Sequence, residues 1–157
     1  MSPPASEDIR FRHVLVAVDG SSHAVMALSL AIALAQRDHA KLSVLTVVPN
    51  VRDGAAAAWN VPVDPLALQE EADRDADRTL RAAIDAVPQD LPVRARLRHG
   101  HAGPEIVAEA KEGEHDVVVV GARGLGRIGS MVGSVSNYVL HHVKVAVIVA
   151  HAPPPAP

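Results

Sequence analysis

The 157-residue chain has no cysteine and a formal net charge of −3, with its basic residues dispersed along it. That composition excludes disulfides and thiolate metal sites, fits a reducing compartment, and argues against nucleic acid as the main partner. Apolar residues make up 48% of the chain, yet Phe11, Trp59 and Tyr138 are the only aromatics, so the core must be built from Ala, Val, Leu and Ile. The longest apolar run, Ala24 to Ala35, is about half of a bilayer span and is interrupted by Ser29. Met1 to Asp8 lacks the apolar stretch of a secretory signal. A cytoplasmic location is therefore expected, with neither membrane nor nucleic acid as partner.

His13 to Val18 reads as a first strand, ended by Asp19-Gly20-Ser21-Ser22, a turn that also supplies a helix cap. Ala24 to about Arg37 is a nearly all-apolar helix, hence well buried. Lys41 to Val48 is a second strand, and Pro49 to Asp64 has no clear period and reads as a loop. Pro65 opens a helix with apolar positions at Leu68, Ala72, Ala76, Leu80, Ala83, Ile84 and Val87. Its other face mixes charges at i,i+4 spacing, Glu70 with Arg74 and Asp77 with Arg81, and reads as a solvated surface. Val93 to Arg98 alternates as a third strand, and Ala102 to about Lys111 is a short helix. Asp116 to Val120 is the fourth strand, Gly133 to His142 the fourth helix, and Val145 to Ala150 the last strand. Six prolines lie in the tails, so residues 1–9 and 152–157 are expected to be disordered around one domain at 10–151.

This alternation predicts an α/β fold, a single doubly wound, five-stranded parallel sheet with right-handed crossovers. In such sheets ligands sit at the carboxyl ends of strands, where the strand order reverses. With the order 3-2-1-4-5, Asp19 and the loop after Val120 flank that point. The loop carries Gly121, Gly124 and Gly133-Ser134-Val135-Ser136, so glycines follow a buried strand and a Gly-Ser pair begins a helix. Glycines allow close approach of the backbone, and the first N–H groups of a helix bind anions. Strand, glycine loop and helix start together predict a phosphate cradle.

The residues also resemble a known family. Val16-Ala17-Val18-Asp19-Gly20-Ser21, Gly103-Pro104 with Ile106, and Gly121-x-x-Gly124 followed by Gly133-Ser134-Val135-Ser136 resemble, in that order, three signatures of the universal stress proteins. The resemblance covers about residues 10 to 151. It implies a flavodoxin-like, adenine-nucleotide-hydrolase-like three-layer sandwich, ATP with Mg2+ as ligand, and a homodimer formed through Val145 to Ala150. By position it implies that Asp19 contacts the nucleoside end, that Ala17 and Val18 line its pocket, and that Val47 offers backbone hydrogen bonds to adenine. Gly121, Gly124, Gly133, Ser134 and Val135 would cradle ribose and phosphates. Two features depart from the family pattern: eight residues rather than nine separate Gly124 from Gly133, and Ala146 replaces a proline common at the last strand.

Other readings compete with this one. Gly124-Leu125-Gly126-Arg127-Ile128-Gly129 matches a dinucleotide fingerprint, but the next strand ends at His151 rather than an acidic residue. Gly126 is followed by Arg127-Ile128, which is no Walker A loop. Asp19 suits a receiver domain, but the third strand ends in Arg98-His99-Gly100-His101 where an acceptor aspartate belongs. Asp19 also reads as a plain helix cap. Arg123 and Arg127 either screen phosphate charge or are solvated loop residues. Helix capping is the simpler role for Ser130, Ser134 and Ser136, against phosphorylation. His99 with His101 and His141 with His142 lack the convergent ligands of a metal site, and the second pair suits a helix C-terminus. Trp59 either covers the ligand or packs on a partner. The expected function is an ATP-binding, nucleotide-responsive regulator of stress adaptation. A protein-interaction module without nucleotide, and a slow ATPase or self-phosphorylating protein, are the alternatives. No general base lies in the glycine loop, so no catalytic residue is assigned and any hydrolysis should be slow.

Overall fold

Short apolar strands alternating with amphipathic helices fold into one parallel sheet covered on both faces. The computed structural model describes residues 1, 9–53, 64–123, 133–154, 156 and 157. In chain order the elements are β1 (His13–Ala17), α1 (Ser22–Asp38), β2 (Lys41–Val48), α2 (Pro65–Asp85), β3 (Val93–His99), α3 (Ala102–Glu112), β4 (Val117–Gly121), α4 (Ser134–His142) and β5 (Ala146–Ala150). The strand order is β3-β2-β1-β4-β5, all parallel, as the alternation predicts. β1 is central, with His13 to Ala17 in register with Lys41 to Leu45 on one side and Val14 to Val16 with Val117 to Val119 on the other.

Burial on both faces explains why β1 and β4 read as nearly unbroken apolar runs, whereas the mostly exposed edge strand β3 alternates with arginine. Val14, Val16, Leu42, Val44, Val117 and Val119 pack beneath α1 and α2. Leu15, Leu45, Val118 and Val120 pack beneath α3 and α4 with Ile106 and Val139. α1 lies close to the sheet because its inward face is Ala24, Ala27, Ala31 and Ala35, all buried. The predicted surface pairs of α2 are present, Arg74 with Glu70 at 3.9 Å and Arg81 with Asp77 at 2.8 Å, together with Arg78 on Asp75.

Several boundaries differ from the sequence reading by a residue or two. β1 ends at Ala17 rather than Val18, although the Val18 N–H still donates to the Leu45 carbonyl at 2.9 Å. α1 begins at Ser22 because Ser21, not Asp19, caps it: the Ser21 hydroxyl accepts from the Ala24 N–H at 3.2 Å. Asp116 precedes β4 and accepts the N–H groups of Arg12 and His13 at 2.8 and 3.0 Å, which ties down the start of β1. The segment read as a loop after β2 begins with a 3-10 turn, Val51–Asp53, and Trp59 lies outside the described residues.

At the sheet end opposite the predicted ligand edge, the His13 and His115 rings meet with centroids 3.9 Å apart. His115 is buried, and its Nε2 has no hydrogen-bond partner among the described residues. Both histidines are held below the ordinary value of 6.5. Burial is the largest cause in each, followed by the Arg94 cation for His13 and by His13 itself for His115. The unfolded chain therefore binds protons first as the pH drops below about 6.5, and stability falls with it. The urea midpoint should decline between about pH 7 and pH 5, and His115→Leu should flatten that decline.

Candidate functional site at the β1–β4 switch point

The cleft begins where β1 and β4 stop and their chains turn in opposite directions. Beyond Val18 the chain turns at Gly20, whose φ of 84° suits glycine far better than other residues. Asp19 Oδ1 accepts the Ser21 N–H at 3.0 Å, which fixes the turn. Ser21 then bridges to the other side, its hydroxyl donating to the Arg123 carbonyl at 3.4 Å.

Seven of the predicted residues line one cleft: Ala17, Val18 and Asp19 after β1, Val47 on β2, Gly121 and Arg123 after β4, and Val135 on α4. Leu45, Ile106 and Val120 add apolar walls that the sequence reading did not assign to the site. Gly133 and Ser134 stand at the start of α4, and Gly124 lies outside the described residues.

Gly121, besides lining the cleft, has a packing reason to be glycine. A Cβ there would sit 2.9 Å from the His23 carbonyl carbon and 3.0 Å from the Ala24 nitrogen. The missing side chain makes room for the first turn of α1. Past β4, the Ala122 N–H donates to Ala150 at 2.7 Å, and the Ala122 carbonyl accepts the Gly133 N–H at 2.6 Å. Ser136 is buried, and its single hydroxyl proton is shared between the same carbonyl at 3.2 Å and the Gly133 carbonyl at 3.0 Å. Ser136 is thus a buried donor that staples the start of α4 to β4, not the expected capping acceptor. Gly133 is the cap residue, with no side-chain cap bond. Its own N–H is committed to Ala122 and is therefore not offered to a ligand.

Val47 has the geometry of a recognition edge. In a parallel strand, alternate residues direct N–H and C=O to opposite neighbours. Lys41 donates to Arg12 and Leu45 accepts from Val18, so the odd positions of β2 face β1. Val48 accepts from Gly100, so the even positions face β3. Val47 faces β1, but the β1–β2 register ends at Ala17 with Leu45. Among the described residues no backbone bond to Val47 extends from the turn at Asp19 and Gly20. One N–H donor and one C=O acceptor, side by side, therefore open into the cleft.

Two clusters escaped the sequence reading. Arg96 reaches Glu109 at 2.9 Å, and Arg98 reaches Glu105, Glu109 and Glu112 at 2.6, 3.1 and 2.8 Å, which clamps α3 to β3. Burial alone would raise the Glu109 carboxyl, but hydrogen bonds from Arg96 and then Arg98 outweigh it and hold the group below its ordinary value. His99 pairs with Asp73 of α2 at 2.8 Å, a carboxylate 26 positions away. Among the described residues no three such side chains converge as a metal site. His142 stacks on Tyr138 at 3.8 Å, and its Nδ1 lies 2.8 Å from the Tyr138 carbonyl, in keeping with a helix-terminal role. The chain after β5 stays on α1, with the Ala152 N–H donating to His23 Nδ1 at 2.9 Å. No described helix is long and apolar enough to cross a membrane.

Comparison with known proteins agrees with this architecture. Residues 10–151 match the profile described as the universal stress protein family. A universal stress protein of a Synechocystis strain is 31% identical over 148 residues, covering 87% of this chain and 95% of that one. One from Thermus aquaticus is 33% identical over 132 residues, covering 83% and 91%. The solved structure of a universal stress protein from Lactobacillus plantarum superposes with a TM-score of 0.73 at 28% identity, covering 91% of this chain and 99% of that one. A universal stress protein crystallised in complex with cAMP superposes with a TM-score of 0.58 at 27% identity, covering 92% and 100%.

Proposed function

This chain belongs to the universal stress protein family, and from that premise we propose that it binds ATP and acts as a nucleotide-responsive regulator in stress adaptation. The observation that carries the reading is the open N–H and C=O pair of Val47 at the switch point. Adenine presents a ring-nitrogen acceptor beside an amino donor, the complement of that pair. Leu45, Ile106 and Val120 give the base apolar walls, and Asp19 takes the nucleoside end. The phosphates would run toward the start of α4, past Arg123, and Mg2+ would offset part of their charge. The relative that was crystallised with cAMP supports an adenine nucleotide as the ligand class.

Asp19 is the one carboxylate among the described lining residues, and it stands at the nucleoside end. Positioning without a water-activating group supplies only part of phosphoryl-transfer catalysis, so hydrolysis should be slow. Mass spectrometry of ligand released from the denatured protein, with calorimetry on stripped protein, tests the reading. ATP should bind at least about tenfold tighter than GTP, because the guanine 6-oxo group would face the Val47 carbonyl. Equal affinities, or no binding of either, would overturn it.

Dimerisation through β5 follows from the same alternation. Ala150 accepts from Ala122, so the even positions of β5 face β4, and Val147 and Val149 direct their backbone outward. An open edge of this kind pairs readily with a second copy. Val147→Pro removes one outward donor and leaves the β4 ladder intact, a position where an edge strand tolerates proline. Sedimentation should find the native protein dimeric and this variant shifted toward monomer, by about tenfold or more in dissociation constant.

A further inference from the structure

Continuing the β1–β2 ladder by one step would pair Val47 with Asp19. Its N–H would donate to the Val18 carbonyl and its C=O would accept from Gly20, as Leu45 accepts from Val18 one step earlier. The step is not made. The Val18 carbonyl accepts instead from the Thr46 hydroxyl at 3.2 Å, and both residues are buried, Thr46 at 4% exposure and Val18 at 6%. Thr46 is an even position whose backbone belongs to the β3 side, so its side chain is the part that reaches β1. Gly20 turns the chain away at φ 84° on the far side of the same junction.

We propose that Thr46 is a positioning residue for the ligand: its hydroxyl occupies the Val18 carbonyl and so keeps the Val47 backbone edge available to the base. This rests on the adenine reading of the cleft. A buried carbonyl without a partner is costly, so loss of the hydroxyl drives Val18 onto the next donor within reach. That donor is the Val47 N–H. One more rung of sheet then forms, and the base loses its edge.

Thr46→Val keeps the side-chain shape and removes the hydroxyl, and Thr46→Ser keeps the hydroxyl. Amide hydrogen exchange on the ligand-free full chain reads the ladder directly. In the native protein the Val47 amide should exchange about tenfold or more faster than that of Leu45. Thr46→Val should slow Val47 by about tenfold, and Thr46→Ser should leave it as in the native protein. ATP affinity should fall about tenfold in Thr46→Val and stay within about threefold in Thr46→Ser. A Val47 amide as protected as Leu45 in the native protein, or one unmoved by Thr46→Val, overturns the proposal. Unchanged ATP affinity in Thr46→Val also overturns it. Exchange that moves as expected in a protein that binds no ATP overturns the adenine reading while upholding the hold of the hydroxyl on Val18.

Discussion

Glu109→Ala is expected to lower the stability of the fold by about 3 kcal/mol, or about 6–12 °C in melting temperature for a chain of this size. The carboxylate side chain is 3% exposed and answers two arginines, one of them only 21% exposed. Its removal leaves those cations without their buried partner, and that loss decides the magnitude. The net worth of an intact buried pair is smaller, because desolvation offsets most of the attraction. Arg98 keeps Glu105 and Glu112, and Arg96 is 43% exposed and can turn to water, so the cost stays at the lower end of the range. Replacing Glu109 and Arg96 together by leucine should recover much of the loss. The pH dependence has a definite sign. The folded carboxyl titrates below its ordinary 4.5, so its contribution is present above that value and is lost as pH falls through the lowered one. Urea midpoints measured from pH 7 to pH 3 should fall more steeply in the native protein than in Glu109→Gln.

Gly121→Ala is the second large effect, expected at about 2–3 kcal/mol with ATP affinity reduced about tenfold. The added methyl meets main-chain atoms of His23 and Ala24 at 2.9–3.0 Å, not the end of a flexible side chain. The first turn of α1 must therefore move. Ser21, whose hydroxyl caps that turn and reaches the Arg123 carbonyl, moves with it, as does the Asp19 turn. Urea unfolding and calorimetry with ATP check the two consequences separately. A stable variant with unchanged affinity would mean that α1 does not set the cleft.

The sheet was legible because its chemistry is local. Val117 to Val120 and His13 to Val18 could belong only to strands covered on both sides, and the internal prolines of the described residues fall between elements or in the first turn of a helix. The cleft was legible for the same reason: topology brings the ends of β1 and β4 together whatever the loops do. What escaped depends on contacts between distant segments. Nothing near His99 in sequence points to Asp73. The Arg96 and Arg98 clamp had a faint signal, since Glu105, Glu109 and Glu112 repeat at i, i+4 and i+7 opposite an alternating arginine strand. The role of Thr46 follows from ladder parity, which requires the register. Gly121 carries a second reason that its sequence context does not show: it lines the cleft, and the packing of α1 also leaves no room for a Cβ there.

In the proposed function a base reads the main chain of Val47. Titrating ATP into 15N-labelled protein and following backbone amides tests it most directly. The Val47 amide should shift and saturate together with that of Val135, on the same curve as the calorimetric isotherm, while His115 at the opposite sheet end stays still. ATP that binds without moving Val47, or a spectrum unchanged at saturating ATP, would contradict the account.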